Sequence, residues 1–136
     1  MLRKINHIGI AVRDIEEAAK FYTETLGLKV DGMEEVPDQK VKVAFLPIGE
    51  VRLELVMPTS PESPVAKHLE KNGPGFHHIA YQVDDVAAEL ARLKSEGARL
   101  VDEAPRSGAH RTRIAFLHPK TSGGVLTELV QETGHR

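Results

Sequence analysis

The chain contains an internal repeat in which two segments share a histidine-bearing, β-branched run. Residues 5–14 align with residues 76–85, and this alignment matches His7 to His78 at an offset of 71 residues. Repeat proteins of the solenoid type need three or more copies to bury their apolar faces. Two copies in a chain of 136 residues therefore predict a pair of similar modules related by a pseudo-two-fold axis.

A second pair of segments repeats later in each copy. Residues 51–56 align with residues 125–130, and Glu54 then matches Glu128 at an offset of 74 residues. The small change in offset indicates that a loop between the matched segments gained a few residues. Each copy therefore carries one histidine and one glutamate at equivalent positions.

The composition excludes several classes of protein. Hydrophobic residues make up 40% of the chain and its net charge is −2, which is typical of a globular domain and unlike a nucleic-acid binder, since phosphate neutralisation needs a basic surplus. The sequence has no cysteine and no run near the roughly 18 apolar residues of a membrane span, and its N-terminus does not resemble a signal peptide. We expect a cytoplasmic protein without nucleic-acid or membrane partners.

The hydrophobic periodicity in each copy predicts a strand, a helix and three strands. We therefore expect an α+β fold built from two paired βαβββ modules that form a cleft. The expected organisation is a single domain over residues 1–136, with module one at about 1–57, a linker helix within 58–74 and module two at about 75–136. The predicted strands lie at 5–13, 28–36, 41–48 and 50–57 in module one. In module two they lie in the repeated segment that begins at residue 76 and near 98–102, 111–118 and 124–131.

Capping residues mark both predicted module helices. Asp14 and Asp85 are placed as N-caps, and Gly27 and Gly97 are placed to end the helices. We expect only residues 134–136 to be frayed.

The repeat places four polar side chains where the strands call for inward-facing residues: His7, Glu54, His78 and Glu128. Burying an isolated carboxylate costs several kcal/mol, so such glutamates must be paired, protonated or bound to a metal. Neutral imidazole and carboxylate suit Zn²⁺, Co²⁺, Ni²⁺ or Mn²⁺. Four protein ligands on a six-coordinate ion leave two positions open, as a catalytic site needs. A buried His–Glu hydrogen-bond network between the modules is the alternative.

Several sequence segments resemble the vicinal-oxygen-chelate (glyoxalase/bleomycin-resistance) superfamily and, within it, the methylmalonyl-CoA epimerase family. The segment 116–129, Phe-Leu-His-Pro-Lys-Thr-Ser-Gly-Gly-Val-Leu-Thr-Glu-Leu, is the most selective for the epimerases. The other segments that carry the resemblance are residues 6–12, 63–73, 75–81 and 108–110.

The resemblance implies a divalent-metal-dependent isomerase of propionate metabolism, with Co²⁺, Mn²⁺, Zn²⁺ or Ni²⁺ held by His7, Glu54, His78 and Glu128. It would interconvert (R)- and (S)-methylmalonyl-CoA by removing and returning the C2 proton through a metal-stabilised enolate. Glu128 and Glu54 are the expected catalytic bases. Some epimerases have a further glutamate on the strand matching residues 41–46, where this chain has no carboxylate.

The resemblance also implies an acyl-CoA substrate and a homodimer. His110, Lys120 and Arg52 are candidates for contacts with the substrate. Lys120 could meet a phosphate of CoA, and Arg52, on the same strand face as Glu54, could pair with a carboxylate of the protein or the substrate.

Two other functions remain open on the sequence alone. Glyoxalase I shares the fold, the His-Glu-His-Glu set and the enediolate chemistry, but acts on a hemithioacetal. A non-catalytic module that binds a small molecule in the cleft belongs to a different class, and members of that kind typically lack the acidic ligands.

Overall fold

The computed structural model describes residues 1–133, so the predicted fraying of residues 134–136 lies outside the described range. The chain divides into two compact units. The first unit is His7–His77, and the second consists of Met1–Asn6 with the residues from His78 onward. The predicted module boundaries and the single domain over 1–136 stay predictions. Among residues 1–133, no helix is both long and apolar enough to cross a membrane.

The order of elements is strand, helix and three strands in each half of the chain, as predicted, which confirms the α+β fold. In the first half these are β1 (Leu2–Ala11), α1 (Ile15–Lys20), β2 (Met33–Val36), β3 (Val41–Ile48) and β4 (Val51–Pro58), followed by α2 (Pro64–Asn72). In the second half they are β5 (Gly75–Val83), α3 (Val86–Ser95), β6 (Arg106–Ser107), β7 (Arg113–Leu117) and β8 (Thr127–Gln131).

The two units have the same sheet topology. In the first unit the strand order is β2-β3-β4-β1, and in the second it is β6-β7-β8-β5. The last strand of each module runs parallel to its first strand, β4 beside β1 and β8 beside β5, while the other neighbours are antiparallel. A helix connects the first strand of each module to the rest, because a parallel pair cannot be joined by a tight turn.

One face of each sheet packs against the helix of its module. In the first unit, Ile15 and Ala19 of α1 cluster with Ala44, Leu46 and Leu55 of the sheet. The equivalent cluster in the second unit joins α3 to β7 and β8, and contains Val83, Val86, Leu90, Ala115, Leu117 and Leu129. Each helix therefore covers one face of its sheet, and the strand residues that alternate with these apolar side chains face the other side.

The predicted helix caps are confirmed. The Asp14 side chain accepts the Glu17 backbone N–H at 3.2 Å, and the Asp85 side chain accepts the Ala88 N–H at 3.1 Å. After α1 the chain continues as a π-helical turn, Phe21–Thr25, before Gly27 at φ +80°. The predicted ends of β3 and β4 agree with the structure to within one residue.

The predicted strand at 28–36 is wrong over its first five residues. The segment before β2 makes only a short hydrogen-bonded link to β3, in which Asp31 N–H donates to the Phe45 carbonyl at 2.7 Å and Phe45 N–H donates to the Gly32 carbonyl at 3.0 Å. Gly32, just before the first residue of the ladder, has φ +143°, which lies outside the β region of L-residues. The ladder therefore starts only at Met33.

The predicted strand at 98–102 is also wrong, because only Leu100 forms a bridge there, with Leu117. The carboxylate of Asp102 accepts the Phe116 N–H at 2.8 Å, so a side chain takes the place of the backbone carbonyl that a regular ladder would supply. The edge strand lies instead at Arg106–Ser107, paired with β7.

Replacing the cap Asp85 with Ala should lower the free energy of unfolding by about 1 kcal/mol, because the first turn of α3 loses a side-chain acceptor. Chemical denaturation measures this change. Asp31→Ala, a matched substitution at an exposed position, should change stability by less than about 0.5 kcal/mol. Equal effects of the two substitutions would contradict the role of Asp85.

Candidate metal centre and active site

The first half-site lies on β1 and β4, which the first unit pairs in parallel. Their register sets His7 beside Arg52 and Gly9 beside Glu54. Leu53 and Leu55 point toward the α1 cluster, so Arg52 and Glu54 lie on the other face, as the alternation predicts.

His7 and Glu54 are in direct contact and almost fully buried. Each is 5% exposed, and His7 Nδ1 lies 3.3 Å from Glu54 Oε2. Arg52 approaches the same oxygen, with Nη2 at 3.3 Å and Nε at 3.4 Å. The buried carboxylate is therefore surrounded by nitrogen atoms that offset the loss of its hydration.

The second half-site repeats this arrangement on β5 and β8. The register sets Ala80 beside Glu128, the counterpart of Gly9 beside Glu54. His78 and Glu128 are 5% and 4% exposed, and His78 Nε2 lies 3.1 Å from Glu128 Oε1. Leu129 packs in the α3 cluster, so Glu128 occupies the opposite sheet face. The structure thus brings each predicted histidine together with the glutamate of its own repeat.

Both pairs have the geometry of neighbouring ligands on one ion. Two atoms bound to a divalent metal at about 2.1 Å and at right angles lie about 3.0 Å apart. The observed 3.3 Å and 3.1 Å are close to that spacing. Imidazole nitrogen and carboxylate oxygen are also donors that the first-row divalent metals accept. The residues of each half-site therefore fit a metal ion.

An aromatic ring lies next to each half-site, which the sequence reading missed. Phe45 on β3 is directly opposite Glu54, and Phe116 on β7 is directly opposite Glu128. The Phe116 ring meets His78 edge-on at 5.7 Å between centroids. The repeat could have revealed them, because Phe45 and Phe116 are separated by the same 71 residues as the two histidines. Each lies on the strand that precedes its glutamate strand and pairs with it antiparallel.

Asn6 is a further residue near the site that the sequence analysis did not identify. It is 2% exposed, and its side-chain Nδ2 donates to Gln82 Oε1 and Glu132 Oε2, both at 3.0 Å. These bonds hold the strand residue that precedes His7. A polar amide in a β-branched run could have indicated a buried side chain held by hydrogen bonds.

The two predicted substrate residues outside the half-sites are exposed. His110 is in a short turn, Ala109–Arg111, with left-handed φ of 57°. Lys120 is in the turn Pro119–Ser122, and its backbone N–H donates to His118 Nδ1 at 3.1 Å. Strand β3, which contains the 41–46 stretch that lacks a carboxylate, presents buried apolar side chains over residues 43–46.

The similarity to known proteins extends over nearly the whole chain. A family model described as Glyoxalase/Bleomycin resistance protein/Dioxygenase superfamily matches residues 6–116. The ethylmalonyl-CoA/methylmalonyl-CoA epimerase of Cereibacter sphaeroides is 44% identical over 96% of this chain and 99% of that protein. The mitochondrial methylmalonyl-CoA epimerase of Homo sapiens is 42% identical over 96% of this chain and 74% of that protein.

A solved structure of methylmalonyl-CoA epimerase in complex with methylmalonyl-CoA and NH4+ is similar in fold. It has a TM-score of 0.94 and 42% sequence identity, and the match covers 98% of this chain and 97% of that one. The chain belongs to the methylmalonyl-CoA epimerase family. The resemblance inferred from the sequence motifs is confirmed, and so is the glyoxalase fold.

In this family member, Co²⁺ or Zn²⁺ should raise the midpoint of thermal unfolding by several degrees, and a chelator should reverse the shift. An ion that binds only the folded state at 100 times its Kd adds about 2.7 kcal/mol of stability. His78→Ala should remove the shift, whereas His110→Ala, at an exposed turn, should retain it. Equal shifts in both variants would show that the ion binds elsewhere.

Proposed function

We propose that this chain is a metal-dependent epimerase that interconverts (R)- and (S)-methylmalonyl-CoA by removing and returning the proton at C2. The observation that carries the proposal is the presence of a buried His–Glu pair in each repeat of a chain that belongs to this family. Identities above 40% over almost the full length support an isomerase.

The proposed metal ligands are His7, Glu54, His78 and Glu128, two from each repeat, which together hold one Co²⁺, Mn²⁺, Zn²⁺ or Ni²⁺. When bound, the ion supplies Lewis-acid stabilisation of the negative charge that develops on the thioester oxygen as the C2 proton leaves. The presence of an equivalent His–Glu pair in each repeat supports this ligand set.

Inversion at C2 needs one group that removes the proton and another that returns a proton to the opposite face. Glu128 and Glu54 are the proposed pair, since each is a buried carboxylate that already contacts a histidine. A carboxylate oxygen accepts the proton, and a carboxylic acid in the other repeat donates one. The absence of a carboxylate from residues 41–46 is why Glu54 is chosen as the second base.

The remaining groups are proposed to hold the acyl-CoA. His110 and Lys120 lie on exposed turns of the second unit and offer cationic or hydrogen-bonding groups to phosphates or to the substrate carboxylate. Arg52, the third residue that the sequence suggested for substrate contact, contacts Glu54 instead and is taken up below. The methylmalonyl-CoA bound in the related solved structure supports the substrate class.

The direct test is solvent deuterium exchange at C2 of methylmalonyl-CoA, followed by NMR. The metal-loaded protein should exchange the C2 proton, and chelator treatment should abolish the exchange. Glu128→Gln should slow it by about 10²–10⁴-fold, as expected for loss of a general base, and Glu54→Gln should also slow it. The matched control Glu16→Gln, on the exposed surface of α1, should keep the wild-type rate.

A hemithioacetal assay run beside it separates the other functions. Isomerisation of the hemithioacetal without exchange at C2 would replace the epimerase with glyoxalase I, which uses the same donor set. Metal binding without either reaction would favour a module that binds a small molecule. The epimerase family of the similar proteins leads us to expect exchange and no glyoxalase activity.

We further propose that the chain acts as a homodimer in the cytoplasm, and that residues 1–136 form one domain. Sedimentation equilibrium should give a mass about twice the 15.0 kDa of the chain at micromolar concentration. A mass of one chain at that concentration would refute the dimer without affecting the proposed reaction.

A further inference from the structure

Arg52 is held between Glu54 and an aromatic ring. Its guanidinium approaches Glu54 Oε2 through two nitrogens, at 3.3 Å and 3.4 Å, and lies 5.8 Å from the centroid of the Phe45 ring. A planar, delocalised guanidinium suits both contacts, since it donates along its edge and stacks on its face. The Arg52 side chain is 22% exposed, so most of it is withdrawn from water beside this pair.

The oxygen that Arg52 contacts is also the oxygen that lies nearest His7. Glu54 Oε2 is 3.3 Å from His7 Nδ1, so the imidazole and the guanidinium approach a single carboxylate oxygen. A carboxylate oxygen has more than one acceptor direction. The guanidinium can therefore occupy one direction and leave another toward the histidine side, which fixes the rotation of the carboxylate.

The second repeat has no arginine at the corresponding position. Glu54 and Glu128 are equivalent in the repeat, and the residue two places before Glu128 is Leu126. Leu126 packs beside a cluster that contains Phe116 and Val130. Phe116 of this repeat contacts His78 edge-on. The two repeats thus place the same ligand types in different surroundings.

We propose that Arg52 is a positioning residue, which orients Glu54 as a metal ligand rather than binding the substrate. The proposal rests on the metal site of the proposed function. Hydrogen-bond partners of metal ligands typically change metal affinity or activity by about 10–100-fold when they are removed. Arg52→Leu, which gives the first repeat the side chain of the second, should therefore weaken Co²⁺ binding by about that factor.

Competition with a chromophoric chelator measures Co²⁺ affinity for the wild type, Arg52→Leu and Arg52→Lys, each with Glu54 and with Glu54→Ala. Arg52→Lys should lose less affinity than Arg52→Leu, because it keeps the charge but not the planar fork. In the Glu54→Ala background, which has no side-chain acceptor for the guanidinium, Arg52→Leu should have less than about a threefold effect, since neighbours that act together are not additive. Arg113→Leu, an exposed strand arginine, is the matched control and should bind Co²⁺ like the wild type.

Steady-state kinetics at saturating Co²⁺ supply a second readout. A positioning role predicts that Arg52→Leu lowers kcat and leaves KM for the acyl-CoA within about twofold. A tenfold rise in KM with unchanged Co²⁺ affinity would overturn the proposal and make Arg52 a substrate-binding residue. Equal losses of Co²⁺ affinity in the Glu54 and Glu54→Ala backgrounds would also overturn it.

The same variants distinguish this proposal from the proposed function. Co²⁺ binding with the expected coupling but no C2 exchange would refute the epimerase and support the role of Arg52. Co²⁺ binding and C2 exchange without that coupling would refute the role of Arg52 and leave the epimerase intact. A wild-type protein that bound no Co²⁺ would refute both the metal site and the role of Arg52.

Discussion

The burial of a carboxylate against an imidazole, once in each repeat, is the constraint on which the rest of the structure depends. A carboxylate without a partner costs several kcal/mol to bury, and removing one member of a buried charged pair costs about 3–5 kcal/mol. Glu54 and Glu128 are about 5% exposed, so each needs its histidine nearby. The parallel pairing of first and last strand in each module meets that need by setting the histidine strand beside the glutamate strand.

The helices complete this arrangement from the other side of each sheet. By covering the face that carries Leu55 or Leu129, they leave the opposite face to the polar pair. The helix also makes the parallel pairing possible. It returns the chain from the end of the first strand to the opposite edge, where a strand of the same direction can begin. The βαβββ order and the position of the half-site are therefore consequences of one topology.

The sequence predicted the parts of the fold and the site that depend on local or repeated signals. Asp14 and Asp85 cap helices through their own neighbours, and strand alternation gave the correct face for Glu54. The segment before β2 and the segment around Leu100 were predicted as strands because their apolar patterns resemble strands. Their true course depends on a glycine φ at Gly32 and on a side-chain bond from Asp102, and neither leaves a periodic trace in the sequence.

The neighbours of the glutamates were harder to predict than the glutamates themselves, for a related reason. Alternation placed Arg52 on the face of Glu54, but it left open whether the guanidinium pairs with the protein or with the substrate. The structure shows the protein contact, and the ring of Phe45 beneath it. A duplicated backbone reproduces strand register faithfully, whereas each side chain then changes independently. In the proposed reaction, one carboxylate removes a proton from C2 and the other returns one to the opposite face. Arg52 in one repeat and Leu126 in the other give these two proposed bases unequal surroundings on the same backbone frame.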